Sequence, residues 1–220
     1  MVGQLTACTL GDKMAENEHG RIIASEAKTV LQPAGFRRKG QSRVWIADRG
    51  FWVSVVEFQP SSWSKGTYLN VAVHWLWGSL PQTLTFDRSE RVGGFVEFQN
   101  SAQFVPLVGQ MARKVLEIDQ IHRSMFPSVQ ATAAILVNEL QLGAYGEWAA
   151  FHAGVAAGLA GDFETARRLF ESVRRHAVSQ AQALLAYIDD PVEFRSHVKG
   201  IIEAERAYYG LGALPAAVAI

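Results

Sequence analysis

The spacing of apolar residues predicts a helix, then a run of strands, then a series of helices. From about Lys13 to Leu31, apolar side chains recur every three to four residues, which is the spacing of one helix face. Pro33 ends this pattern, because a residue that precedes proline is sterically pushed out of the α region. The first predicted element is therefore an amphipathic helix over about 13–31.

From Arg43 the period of the apolar pattern changes to two, which predicts β-strands. Short polar turns such as Asp48-Arg49-Gly50 separate the strands. Parallel strands need a long crossover between them, so these turns predict an antiparallel meander. The predicted strands cover Val44–Ile46, Phe51–Phe58, Thr67–Trp77 and Phe95–Gln99, with Thr83–Phe86 as a further candidate.

After Asn100 the spacing is helical throughout. A helix with Pro106 near its start runs to Met125, and Pro127 breaks it. Further helices are predicted near Ser128–Leu142, Tyr145–Ala160, Asp162–His176 and Pro191–Tyr209.

The predicted fold class is thus α+β, with an N-terminal helix packed on an antiparallel meander sheet of 4–5 strands. An all-helical C-terminal half follows the sheet. The change of pattern near Phe126 predicts an α+β domain over 1–126 and a helical region over 127–220. Whether the second packs on the first or stands apart stays open.

A helical pair at about 145–175 resembles a tetratricopeptide repeat unit. Gly154, Gly161 and Phe170 fall at the spacing of that motif, whereas Ala150 and Ala157 stand where larger residues are usual. No second copy lies one repeat length away, and such repeats need about three copies to form a stable solenoid. We therefore expect a packing element rather than a peptide-binding groove.

Charge and composition narrow the classes of function. Lys+Arg and Asp+Glu are both 21, so the overall charge draws the chain neither to nucleic acid nor to a membrane. The single cysteine, Cys8, allows no internal disulfide. No signal peptide or membrane-length apolar run is recognised, and we expect a cytoplasmic protein. The histidines are dispersed and no cofactor motif occurs, so no metal, cofactor or catalytic residue is predicted.

Five of the six tryptophans lie between Trp45 and Trp77, and a basic loop precedes them. Tryptophans on strands usually face a core, which is the interpretation preferred for Trp45, Trp75 and Trp77. Trp63 differs, because it lies in a serine-rich turn.

Three separated motifs in this region occur in a recognisable order. They are Leu31-Gln32-Pro33-Ala34-Gly35-Phe36-Arg37-Arg38-Lys39-Gly40, then Val55-Val56-Glu57-Phe58-Gln59-Pro60-Ser61-Ser62-Trp63, then Tyr68-Leu69-Asn70-Val71. This series resembles the bacterial family called domain of unknown function 4304, over about residues 14–77 and more weakly to about 125. The resemblance implies a helix packed on an antiparallel sheet, and it implies no activity.

The residues of this region that offer binding chemistry form the candidate site. The basic side chains suit a phosphate or carboxylate, the aromatic rings suit stacking, and the amides and the histidine suit neutral hydrogen bonds. A solvated turn, core packing and a packed histidine are the structural alternatives. The candidates are Arg37, Arg38, Lys39, Gln59, Ser61, Trp63, Tyr68, Asn70 and His74.

Three functions follow as hypotheses. The first is a non-enzymatic module that binds a protein partner, with toxin neutralisation as one instance. The second is binding of an anionic small ligand or single-stranded nucleic acid through the basic loop and Trp63, although the neutral charge weighs against nucleic acid. The third is an enzyme that uses Asn70, His74 and a serine of the turn. Homo-oligomerisation stays open.

Overall fold

The computed structural model describes residues 10–78, 83–143 and 146–215, with side chains from residue 18 onward. Helix α1 is followed by a single 3-10 turn over Gln32–Ala34. The elements are α1 Leu10–Leu31, β1 Phe36–Arg38, β2 Val44–Asp48, β3 Trp52–Gln59, β4 Gly66–Trp75, β5 Arg88–Arg91, β6 Val96–Glu97, α2 Ser101–Met125, α3 Val129–Gln141, α4 Glu147–Ala160, α5 Phe163–Ser172, α6 Val178–Leu185 and α7 Pro191–Tyr208.

The strands form one sheet in the order β1-β2-β3-β4-β5, and β6 also pairs with β4. The β1–β2 and β4–β6 pairs are antiparallel, with Arg38 opposite Trp45 and Thr67 opposite Val96. The predicted α+β class, with a helix before an antiparallel sheet and helices after it, is confirmed.

Two strand predictions need correction. Strand β1 lies inside the stretch that the sequence reads as a loop. The candidate strand Thr83–Phe86 is wrong, because pairing with β4 begins only after it: the Asp87 N–H donates to the Val73 carbonyl at 3.1 Å. The Thr85 N–H is instead directed at the His74 ring, 3.3 Å from Nδ1.

The helix predicted over Asp162–His176 ends at Ser172, and α6 was not predicted. The Glu147 carboxylate explains this early end. It accepts the backbone N–H groups of Arg174 and Arg175 at 2.8 Å, and also that of His176. These amides are therefore not available for the helical hydrogen-bond ladder.

The described residues group into two compact units. Those within 1–47, 55–71 and 90–118 form the first unit, and those within 48–54, 72–89 and 119–220 form the second. Strands β2, β3, β4 and β5 contribute to both. The domain boundary near residue 126 stays a prediction.

The core of the first unit follows from the alternation along β4. Leu69 and Val71 are fully buried, whereas Tyr68 and Asn70, which alternate with them, are partly exposed. The buried pair packs in one cluster with apolar side chains of α1, α2 and the neighbouring strands. The helical members of the cluster are Ile23, Ala27, Leu31, Phe104, Val108, Ala112, Val115 and Ile118.

The second unit contains a stack of aromatic rings. Trp75 and Trp77 lie parallel with centroids 5.1 Å apart, and Phe51 stacks on Trp77 at 5.3 Å. Phe126 meets Trp75 edge-on at 5.1 Å. The expectation that Trp45, Trp75 and Trp77 are core residues is confirmed. No helix in the described ranges is long and apolar enough to cross a membrane.

Helices α4 and α5 form the predicted helical pair, with Gly161 in a left-handed conformation at the turn. Asp162 caps α5 by accepting the Thr165 N–H at 3.0 Å. The absent side chains of Gly154 and Gly158 let two phenylalanine rings approach the α4 backbone. The likeness to a tetratricopeptide unit stays a prediction.

Arg206 of α7 has a buried guanidinium whose charge is neutralised. It contacts both carboxylate oxygens of Asp48, at 2.8 and 2.7 Å, and donates to the Gly50 and Gly212 carbonyls. A buried charge is tolerable only with such pairing. This network fastens α7 to the turn after β2 within the second unit.

We expect Gly158→Ala to destabilise the fold. Its new Cβ would lie 2.6 Å from two ring atoms of Phe194, and such overpacking costs about 1–3 kcal/mol. The control is Gly200→Ala in α7, where no atom lies within 4 Å of the new Cβ. Alanine should raise stability there by about 0.5–1 kcal/mol through its helix propensity. Urea unfolding of both variants measures the contrast, and equal shifts would contradict the close approach.

We expect Arg206→Met to lower the free energy of unfolding by about 3 kcal/mol, because Asp48 and the buried carbonyls lose their donor. The matched control is Arg168→Met, which removes an exposed arginine of α5 and should change stability by less than about 0.5 kcal/mol. Urea unfolding again provides the measurement. A loss for Arg206→Met no larger than that of the control would show that the network contributes little.

Candidate functional site

The basic loop mostly serves its own structure. Arg38 donates from Nε to the Ser42 carbonyl at 2.6 Å and from Nη2 to the Gln41 carbonyl at 2.7 Å. The Lys39 N–H donates to the Val44 carbonyl at 2.8 Å, which closes the connection from β1 to β2. Arg37 is exposed on β1. Arg37 and Arg38 border a surface depression that does not include the serine-rich turn.

Gln59, Tyr68 and Asn70 do lie together, in a network that also contains Glu57 and Arg91. The Asn70 amide donates to Glu57 at 3.0 Å and to Gln59 at 2.9 Å. Arg91 donates to Asn70 and Gln59, and its guanidinium lies 4.4 Å from the centre of the Tyr68 ring. These groups satisfy one another, so a ligand here would first have to displace Arg91.

Trp63 stands apart from that network. Its side chain is 94% exposed, in a turn where its N–H donates to the Ser61 hydroxyl at 3.1 Å. Beside the turn lies a groove of about 370 Å³, which we call the Trp63 groove. Residues 60–66 line it together with His19 and Arg43. Its polar groups include the hydroxyls of Ser61, Ser62 and Ser64.

Arg43 is the unusual member of the Trp63 groove. Its Nη2 lies 2.9 Å from His19 Nε2, while its buried Nη1 has no hydrogen-bond partner among the side chains that the structure describes. Burial, and secondarily the positive charge of Arg38, lower the pKa of Arg43. None of the described residues that line the groove carries a carboxylate, and Lys65 adds a second cation. The groove therefore has positive charge that no acidic lining residue neutralises.

His74 lies in the second unit. Its side chain is only 3% exposed, yet it lines a cavity of about 290 Å³ together with Thr85, Asp87, Trp148 and His152. Its Nδ1 is 2.6 Å from the Thr85 hydroxyl. Tyr209 packs edge-on against the imidazole at 5.7 Å. His74 is thus buried beside a cavity rather than sealed in a core.

Asp87 joins two histidines in this cavity. One carboxylate oxygen accepts the Trp75 N–H at 2.9 Å and lies 3.5 Å from His74 Nδ1. The other lies 3.5 Å from His152 Nε2. Burial alone would raise the pKa of Asp87, but the interactions with His152 and His74 outweigh it and hold this pKa well below its usual range. The carboxylate is therefore ionised at neutral pH.

The sequence does not single out several residues of these sites as binding candidates: Arg43, Glu57, Thr85, Asp87, Arg91 and His152. Asp87 and His152 had no usable signal, because they are far apart in sequence and match no motif. Arg91 likewise matches no motif in the sequence. The nine predicted residues do not form one site. The described part of the chain contains no group of three histidine, cysteine or acidic side chains that could hold a metal ion.

Comparison with known proteins gives a match to a family model. Residues 27–101 match the model of the family described as domain of unknown function DUF4304. This segment contains β1 to β6, the motifs quoted above and most of the Trp63 groove, but neither His19 nor His152. No curated protein and no solved structure matches the chain. The segment 27–101 is therefore similar to the family of the domain of unknown function DUF4304, whose description assigns no activity.

Proposed function

We propose that the protein binds an acidic segment of another protein in the Trp63 groove, without catalysing a reaction. The observation that carries this proposal is the partly buried Arg43 guanidinium, which has no carboxylate partner among the described residues, beside an exposed tryptophan. A buried charge without a counter-ion is costly, and a carboxylate from a partner would remove that cost.

The chemistry of the groove supports an acidic partner with an apolar residue next to its charge. A carboxylate placed beside Arg43 would also meet Lys65 and the serine hydroxyls. Trp63 offers a large apolar surface at the rim, and tryptophan and arginine are the residue types most enriched among energetically dominant interface positions. The partner therefore needs both features within a short segment.

Nucleic acid fits the groove less well. Binding of single strands uses several aromatic platforms on which successive bases stack. Tyr68, the nearest candidate in sequence, is already in contact with Arg91 and Phe95, with the Phe95 ring at 5.0 Å. This leaves Trp63 as the stacking platform beside the groove, where single-strand binding needs several. The chain as a whole is also neutral, so it does not attract a polyanion. These observations favour a protein segment.

The test uses two fluorescein-labelled peptides that alternate leucine with a charged residue, glutamate in one and lysine in the other. We expect saturable binding of the glutamate peptide, measured by fluorescence anisotropy, and none of the lysine peptide. Arg43→Gln should weaken binding about tenfold or more, because it removes a charge-assisted hydrogen bond. Trp63→Ala should weaken it about thirtyfold, as for a dominant interface residue.

Arg37→Gln is the matched control, because Arg37 is an exposed cation of the same unit outside the groove. It should leave peptide affinity unchanged, and circular dichroism should show that all three variants are folded. Equal affinity for the two peptides, or binding by folded Trp63→Ala at the wild-type level, would refute the proposal. Tighter binding of inorganic phosphate or of an oligonucleotide at the same groove would replace the protein partner with that ligand.

A further inference from the structure

The cavity around His74, Asp87 and His152 is independent of the Trp63 groove, and all the residues that line it lie in the second unit. Three buried imidazole nitrogens beside it have no hydrogen-bond partner within the described part of the chain: His74 Nε2 and both nitrogens of His152, of which Nε2 lies 3.5 Å from Asp87. Buried polar atoms are nearly always satisfied, and unsatisfied ones beside a cavity indicate a ligand or an ordered water.

The size and walls of the cavity restrict the ligand. Its volume of about 290 Å³ lies at the lower end of ligand pockets, which suits a molecule with a single ring. Phe86 and Trp148 supply aromatic walls, and Trp148 is stacked on His152 with centroids 5.9 Å apart. Gly78 lies between the histidines, since a Cβ placed on it would be 3.9 Å from His152 Cε1 and 4.0 Å from His74 Cε1. Both rings therefore face the same small space.

The charge of the cavity excludes most ionic ligands. None of the described lining residues is lysine or arginine, so an anion would face the Asp87 carboxylate without an offsetting cation. A cation finds no vacant carboxylate edge, because one Asp87 oxygen accepts the Trp75 N–H beside His74 and the other faces His152. A neutral ligand remains.

The histidines specify the polar group of that ligand. If His152 donates from Nε2 to Asp87, its Nδ1 is an acceptor. The Thr85 N–H is directed at His74 Nδ1, which places the His74 hydrogen on Nε2 as a donor. A hydroxyl group can accept from His74 and donate to His152 at once. In the other His74 tautomer, His74 Nε2 and His152 Nδ1 are both acceptors. The ligand hydroxyl can still donate to one of them.

We infer that this cavity binds a neutral, single-ring aromatic molecule whose hydroxyl group hydrogen-bonds to His74 and His152 while its ring packs against Trp148. Asp87 lies 3.5 Å from a nitrogen of each imidazole and does not need to touch the ligand.

Two matched probes test this assignment on the full chain: phenol, which is neutral at neutral pH, and benzene, which has the same ring without the hydroxyl. We expect isothermal titration calorimetry to show one saturable site for phenol, with an affinity about tenfold or more above that for benzene. His74→Gln and His152→Gln should reduce this preference, and Trp148→Leu should weaken both probes. His176→Gln, an exposed histidine outside the cavity, should change neither.

If a variant of a buried histidine does not fold, the inference can still be tested on the wild-type chain by NMR. In its imidazole nitrogen NMR spectrum, phenol should shift the signals of His74 and His152 and leave that of His176 in place. No saturable binding, equal affinity for the two probes, or shifts confined to other histidines would overturn the inference. Because the cavity and the Trp63 groove share no residue, Trp63→Ala should not affect this binding.

Discussion

The two-residue alternation along β4 is the constraint on which the core and the candidate sites depend. Successive side chains of a strand point to opposite faces, so burying Leu69 and Val71 places Tyr68 and Asn70 on the other face. The same alternation carries on to His74. Side chains of one parity stabilise the first unit. Those of the other parity supply the polar network and one imidazole of the cavity.

Two arginines differ in whether a carboxylate of the fold neutralises their charge. Arg206 is buried, paired with both oxygens of Asp48 and bonded to backbone carbonyls, so its charge is fully used within the fold. Arg43 is partly buried, yet among the described residues it contacts a histidine rather than a carboxylate and keeps one nitrogen without a hydrogen-bond partner. An internal pair stabilises the native state, whereas the binding proposed for the Trp63 groove depends on a cation that no described carboxylate neutralises.

The cavity shows a related contrast between satisfied and unsatisfied polar atoms. Asp87 is a buried carboxylate with interactions on both oxygens, which is why its pKa is low despite burial. His74 is held through Nδ1 by Thr85, while His74 Nε2 and both nitrogens of His152 have no hydrogen-bond partner among the described residues. These imidazole nitrogens are therefore left to bond to a ligand. The polar groups of Asn70 and Arg91 differ, because they hydrogen-bond to each other and to their neighbours.

The sequence by itself determined the fold class, the buried tryptophans, the prominence of Trp63 and the DUF4304 motifs, because each depends on local periodicity or on a motif within a short stretch. Only the tertiary structure decided which residues share a site. Arg38 was expected to bind ligand but closes its own loop, and Asn70 and His74 have different neighbours. Asp87 and His152 are neighbours in space but are separated in sequence by two strands and two helices. No local spacing encodes such a contact, because only the folding of the chain brings the two residues together.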